Sequence, residues 1–210
     1  MNDTENFRRI YIRHADKEYA NGDANLFKHD PGITSDGISK TKMVANHLLE
    51  QWGLPDRIIA SPYRRTRETA AVMNSLLGNK VPMHIDTDVA EYLGNHRTVP
   101  IDVTESTLVH DPPHPESFTQ MKSRVKDHHN MITNYSKKKK IGVIWIVTHG
   151  IIIKQVAALI GVKMPKDFPN LTCLSIVDGE KITKSELLIF NENASPVEDD
   201  SENSESIVTY

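Results

Sequence analysis

One pattern recurs along the chain and leaves few folds open: a short apolar run, an abrupt stop at polar or turn-forming residues, then a stretch with helical spacing. Ile10-Tyr11-Ile12 stops at Arg13-His14. Arg57-Ile58-Ile59-Ala60 stops at Ser61-Pro62-Tyr63-Arg64-Arg65-Thr66, and Val143-Ile144-Trp145-Ile146-Val147-Thr148 stops at His149-Gly150. Strand and helix signals that alternate in this way predict an α/β fold, a mostly parallel central sheet with helices on both faces. Parallel strands joined by helical crossovers bring their carboxyl ends to one edge, where residues remote in sequence share a crevice. Arg13, His14, Arg65 and His149 are all expected there. Guanidinium offers a planar fork of donors and keeps its charge at any working pH, so two arginines beside two histidines suit a tetrahedral phosphate anion.

The connecting segments carry their own signals. Thr34 is placed to cap a first helix whose apolar face is Ile38, Ala45, Leu48, Leu49 and Trp52, and Gly53 followed by Pro55 ends it. A helix starting near Arg64 puts Arg65 in its opening turn, where unpaired backbone donors and the positive dipole end favour an anion. Met83-His84-Ile85 reads as a weak third strand leading to a loop with Glu91. Residues 86–115 lack periodicity and read as an excursion that forms a pocket wall. Ser117 with Gln120 makes a capping-box pattern at the start of a helix carrying Phe118, Met121, Val125, His128, Ile132 and Tyr135. The lysines at 137–140 fit a solvated helix end better than an anionic docking site. Residues 151–160 continue as a helix to Gly161, and Asp178-Gly179 marks a turn between two final strands.

These segments together resemble the histidine phosphatase superfamily, which includes the cofactor-dependent phosphoglycerate mutases. Arg13-His14 is similar to its Arg-His-Gly signature, and Ile33-Thr34-Ser35-Asp36-Gly37 to its Leu-Thr-x-x-Gly step. Ser61-Pro62 through Arg65-Thr66 and Thr69-Ala70 resembles its second arginine segment. Glu91, Pro115-Glu116-Ser117 and Val147-Thr148-His149-Gly150 fall where an acid, a late helix start and the second histidine segment are expected. It is their order along the chain that makes the set specific. The resemblance implies a phosphomonoester hydrolase acting through a phosphohistidine on His14, without metal or cofactor. Arg13, Arg65 and His149 would clamp the phosphoryl oxygens, with Gly150, Lys17 and Asn21 as further substrate-binding candidates. Glu91 is the candidate general acid, and Asp86, Asp88 and Glu18 are its alternatives. Two departures stand out: Ala15 replaces the usual Gly, which matters if the position needs a positive φ, and Asn21 is displaced by one from its usual spacing. Lys17, Tyr19, Tyr92 and Arg97 are candidates for the pocket rim.

Other readings make distinct expectations. A mutase would need a basic-aromatic run after its acid, and Glu91-Tyr92-Leu93-Gly94 lacks one. A metal-dependent phosphohydrolase is suggested by the ten histidines and by the His29-Asp30 and His110-Asp111 pairs, and a non-catalytic phosphate-binding module by Ala15 and the altered loop after it. Cys173, the single cysteine, is followed by no phosphate loop closing on Arg and reads as a core residue.

Length and 38% hydrophobic content suit one catalytic domain, assigned to residues 1–190. The acidic segment 191–210 is expected to be a disordered tail. It holds six acids and no Lys or Arg, so the net charge of −3 hides a body with 25 basic and 22 acidic residues, or +3. That bias favours an anionic ligand, with small metabolite, nucleotide and phosphoprotein all open, and is too slight for extended nucleic-acid binding. With no membrane-length apolar run and no secretory core, a cytoplasmic location is expected. The leaving group and the oligomeric state are left open.

Overall fold

In the computed structural model, the described residues are 7–18, 30–94, 115–178 and 183–190, with the backbone of 206–209. Strand β1 (Phe7–Arg13) leads to helix α1 (Ser35–Trp52), then to β2 (Arg57–Ala60), α2 (Arg64–Leu76) and β3 (Met83–Ile85). A 3-10 turn at Thr87–Val89 follows. Helix α3 (Phe118–Lys139), β4 (Val143–Thr148), α4 (Gly150–Leu159), β5 (Cys173–Asp178), β6 (Thr183–Ile189) and β7 (Ser206–Thr209) complete the order.

The strands form one seven-stranded sheet in the order β3-β2-β4-β1-β5-β6-β7. β1, β2, β3 and β4 run parallel, β5 is antiparallel to β1 and β6, and β7 is parallel to β6. The period-two alternation of a strand divides the core between two faces. Ile10, Ile12, Ile58, Ala60, Trp145 and Val147 pack with Val44, Ala45 and Leu48 of α1 and Ala70 and Met73 of α2. Tyr11, Ile59, Ile144 and Ile146 point the other way and pack with Met121 and Val125 of α3 and Ile152, Ile153 and Val156 of α4. Helices therefore cover both faces. This explains why β4 reads as an unbroken apolar run: a strand buried on both sides has no polar face to show.

The helix ends follow their sequence signals. Thr34 accepts from the backbone N–H of Gly37, and Gly53 leaves α1 with φ 76°. Ser117 and Gln120 form the reciprocal capping box, and Lys140 closes α3 in the left-handed conformation. The predicted fully disordered tail needs one correction, because residues 206–209, Ser-Ile-Val-Thr, pair with β6 as an edge strand. Three of the four are β-branched, which favours a pleated surface. The rest of that tail lies outside the described residues. No helix among the described residues is long and apolar enough to cross a membrane.

Candidate active site

Strand register assembles the site. In the parallel ladder Arg13 pairs with Thr148, so His14 and His149 stand one step beyond on neighbouring strands. The backbone N–H of His14 donates to the Thr148 carbonyl at 2.9 Å, and the two imidazole centroids are 5.4 Å apart. On the other side of β4, the Ser61 N–H donates to the Val147 carbonyl, bringing the start of α2 to the same edge. Thr69 ties α2 to β1: its hydroxyl donates to the Arg65 carbonyl at 2.7 Å and accepts from the Ala15 N–H at 3.0 Å.

His14 is 6% exposed. Its Nδ1 lies 2.8 Å from the Ala15 carbonyl oxygen, which can only accept, so Nδ1 carries the proton and the lone pair of the neutral ring is on Nε2. Burial, then the charges of Arg65, Arg13 and Lys17, push its pKa down to about 3, while the bond to Ala15 opposes the shift. A neutral imidazole with a free lone pair is a competent nucleophile toward phosphorus.

His149 is fully buried at the start of α4, and no side-chain hydrogen bond caps that helix. Arg65 Nη2 donates to its Nδ1 at 3.3 Å, which leaves Nε2 as the N–H that donates to Ser61 Oγ at 2.7 Å. Burial and the neighbouring cations hold its pKa well below the usual histidine value. The Tyr63 ring packs edge-on against His149, and the Arg65 guanidinium lies 4.7 Å over the same Tyr63 ring.

Arg65 is 5% exposed and bridges two carboxylates: Nη2 donates to Glu91 and Nη1 to Asp30 at 3.3 Å. Asp30 also accepts from the Arg64 N–H at 2.6 Å, so its carboxylate occupies the anion-favouring start of α2. Burial raises the Asp30 pKa. Arg13 donates to the Phe168 carbonyl, with its guanidinium 5.5 Å from the Phe168 ring. A Cβ at Gly150 would meet Arg13 Nε at 3.6 Å, so the glycine lies directly against that side chain.

The four expected cationic and imidazole residues are thus brought together with Glu91 and Gly150. Lys17 shares the crevice: burial and the charges of Arg65 and Arg13 lower its pKa, and Glu91 opposes them. Of the four acids weighed, Glu91 is the one beside Arg65 and His149, its Oε2 3.6 Å from His149 Nδ1. Asp86 faces His128 of α3 at 3.4 Å, while Asp88 and Glu18 are exposed. Ala15 is buried and is not among the residues with positive φ, so its methyl group meets no backbone conflict. Arg64 turns outward to Glu68 at 2.7 Å. Asn21, Tyr19, Arg97, His29 and the His110-Asp111 pair lie outside the described residues. Two residues at the crevice carry no clear sequence signal: Asp30, which stands only in the His29-Asp30 pair, pairs with Arg65, and Arg124, an ordinary helix arginine by spacing, reaches the loop that carries Glu91.

The family model of the histidine phosphatase superfamily (branch 1) matches residues 10–191. No curated protein matches the chain. Among solved structures, a phosphoglycerate mutase from Bacillus anthracis is 15% identical with a TM-score of 0.66, covering 87% of this chain and 92% of that one. An ecdysone phosphate phosphatase from Bombix mori, solved with tungstate, is 15% identical (TM-score 0.62; 84% and 92% covered). A phosphohistidine phosphatase SixA from Agrobacterium tumefaciens is 16% identical (TM-score 0.53; 83% and 96% covered).

Proposed function

Since the chain belongs to the histidine phosphatase superfamily, we propose that it is a phosphomonoester hydrolase working through a phosphohistidine on His14. The observation that carries this reading is the His14 ring itself, protonated on Nδ1 by its bond to Ala15 and surrounded by Arg13, Arg65 and His149. Nε2 attacks phosphorus in line, and the P–O bond to the alcohol breaks as the N–P bond forms. Glu91, a carboxylate while paired with Arg65, takes up the proton of the phosphate monoester when the phosphoryl oxygens replace it there, and passes that proton to the departing oxygen. Water then attacks phosphorus, its proton returns to Glu91, and the lone pair of Nε2 is restored as inorganic phosphate leaves.

The clamp takes shape from the same geometry. Arg65 exchanges carboxylate partners for phosphoryl oxygens, and Arg13 supplies a second guanidinium. Lys17 and Asn21 belong to the substrate side in this proposal, and the chemistry uses no metal or cofactor. Tungstate, bound in the ecdysone phosphate phosphatase structure, is a tetrahedral oxyanion like phosphate, which supports the reading of a site for that shape.

A panel of phosphomonoesters with the His14→Ala protein as control tests the proposal. We expect phosphate release by the wild type, undiminished by chelator, acid-labile radiolabel on His14 after quenching, and no turnover by the variant. Appreciable turnover by His14→Ala would remove the covalent route. Efficient isomerisation of phosphoglycerates without phosphate release would replace hydrolysis with mutase chemistry.

A further inference from the structure

We propose that Arg124 is a positioning residue for the Glu91 carboxyl, acting with Glu116 and Thr148 through the three backbone carbonyls that precede Glu91. The inference rests on the reading of Glu91 as general acid. Arg124 lies on α3 and contacts neither His14 nor His149 by hydrogen bond. Its Nε and Nη2 donate to the two oxygens of Glu116 at 2.8 and 2.7 Å, which fixes the plane of the guanidinium. The remaining nitrogen, Nη1, donates to the carbonyl of Asp88 at 2.6 Å and to that of Ala90 at 3.2 Å. Thr148 Oγ1 donates to the carbonyl between them, Val89, at 2.7 Å. Residues 88, 89 and 90 are therefore each held by a side chain from another element.

The arrangement sets a loop against a strand. Thr148 immediately precedes His149, so the strand end that fixes the second imidazole also fixes the loop carrying the acid. The Arg124 and Glu116 side chains are under one-tenth exposed. A buried ion pair contributes little net stability, because desolvation offsets the attraction. What this pair supplies is direction: a fork fixed on one side by a bidentate carboxylate and aimed on the other at main-chain oxygens. An ammonium group, compact and unforked, cannot reproduce it. Misplacing a proton donor slows departure of a poor leaving group and scarcely affects a good one, which needs no proton.

The test compares kcat/KM, which reports the phosphorylation step, for nitrophenyl phosphate and for glycerol phosphate. The proteins are wild type, Glu91→Gln, Arg124→Gln, Arg124→Lys and Thr148→Val. A lost or misplaced general acid should cost Glu91→Gln and Arg124→Gln about thirtyfold or more on glycerol phosphate and no more than about threefold on nitrophenyl phosphate. Arg124→Lys should stay impaired in the same pattern, and Thr148→Val should show it in weaker form. If Glu91→Gln discriminates between the substrates while Arg124→Gln keeps wild-type rates or loses equally on both, the positioning role is overturned and the role of Glu91 stands. If Glu91→Gln itself loses equally on both, the reading of Glu91 fails. Should Arg124→Gln fail to fold by circular dichroism, Thr148→Val decides, and an absence of discrimination there overturns the proposal.

Discussion

At the scale of single residues, the candidate site keeps a histidine neutral among cations. The ordinary imidazole value would leave His14 partly protonated under mildly acidic conditions, and a protonated ring has no lone pair for attack. Burial and the adjacent charges lower its pKa to about 3. His14 should therefore remain neutral from pH 7 down to pH 4, and its contribution to any acid limb of kcat/KM should appear near pH 3. Histidine resonances followed by NMR against pH check this, and a His14 titration centred near 6.5 would contradict it. Much at this scale could be read without coordinates, because Arg13, His14, Arg65 and His149 all sit where an apolar run breaks. Asp30 and Arg124 could not. One lies in a loop and the other on a helix, and only the packing of that helix over the Thr87–Val89 turn gives its guanidinium a purpose.

At the scale of elements, local capping and long-range pairing hold the pieces in register. Ser117 closes the first turn of α3, directly after the buried Glu116. Ser117→Ala should lower stability by about 1 kcal/mol, measured by urea unfolding, because it leaves a first-turn N–H without its acceptor. An unchanged midpoint would show the cap to be dispensable. A larger loss is expected between β1 and β5, where Arg9, 1% exposed, meets Asp178 at 2.5 Å. Asp178→Ala strands a buried guanidinium and should cost about 3–5 kcal/mol, again read by urea unfolding, and a loss within 1 kcal/mol of zero, an order-of-magnitude bound for an exposed pair, would place this pair in that class. Helix ends were legible because caps are local chemistry. The edge strand at 206–209 was not, since a four-residue β-branched run is outweighed by the acidic composition around it.

At the scale of the whole molecule, the two-sided sheet explains both the burial of the imidazoles and a cost that follows from it. His14 and His129 have pKa values lowered to about 3 and about 4, and His149 is held well below its usual value, each chiefly by burial. A group whose folded value is depressed takes up protons more readily when unfolded. The stability tied to neutral histidines is thus complete above pH 6.5 and is lost as pH falls through 4 toward 3. Urea midpoints should decline steadily over that interval, and a flat profile would contradict the burial of these rings. The fold class was legible in the alternation of apolar runs and helical spacing, whereas the sequence between residues 86 and 115 carries no periodic signal from which packing could be inferred. The ladder that pairs Arg13 with Thr148 has one more consequence. Adjacent strands act as a ruler, so the gap between the two imidazoles does not depend on the path taken by the more than one hundred intervening residues. Under the proposed function, loops can be exchanged, lengthened or reshaped for a new alcohol without moving the two histidines.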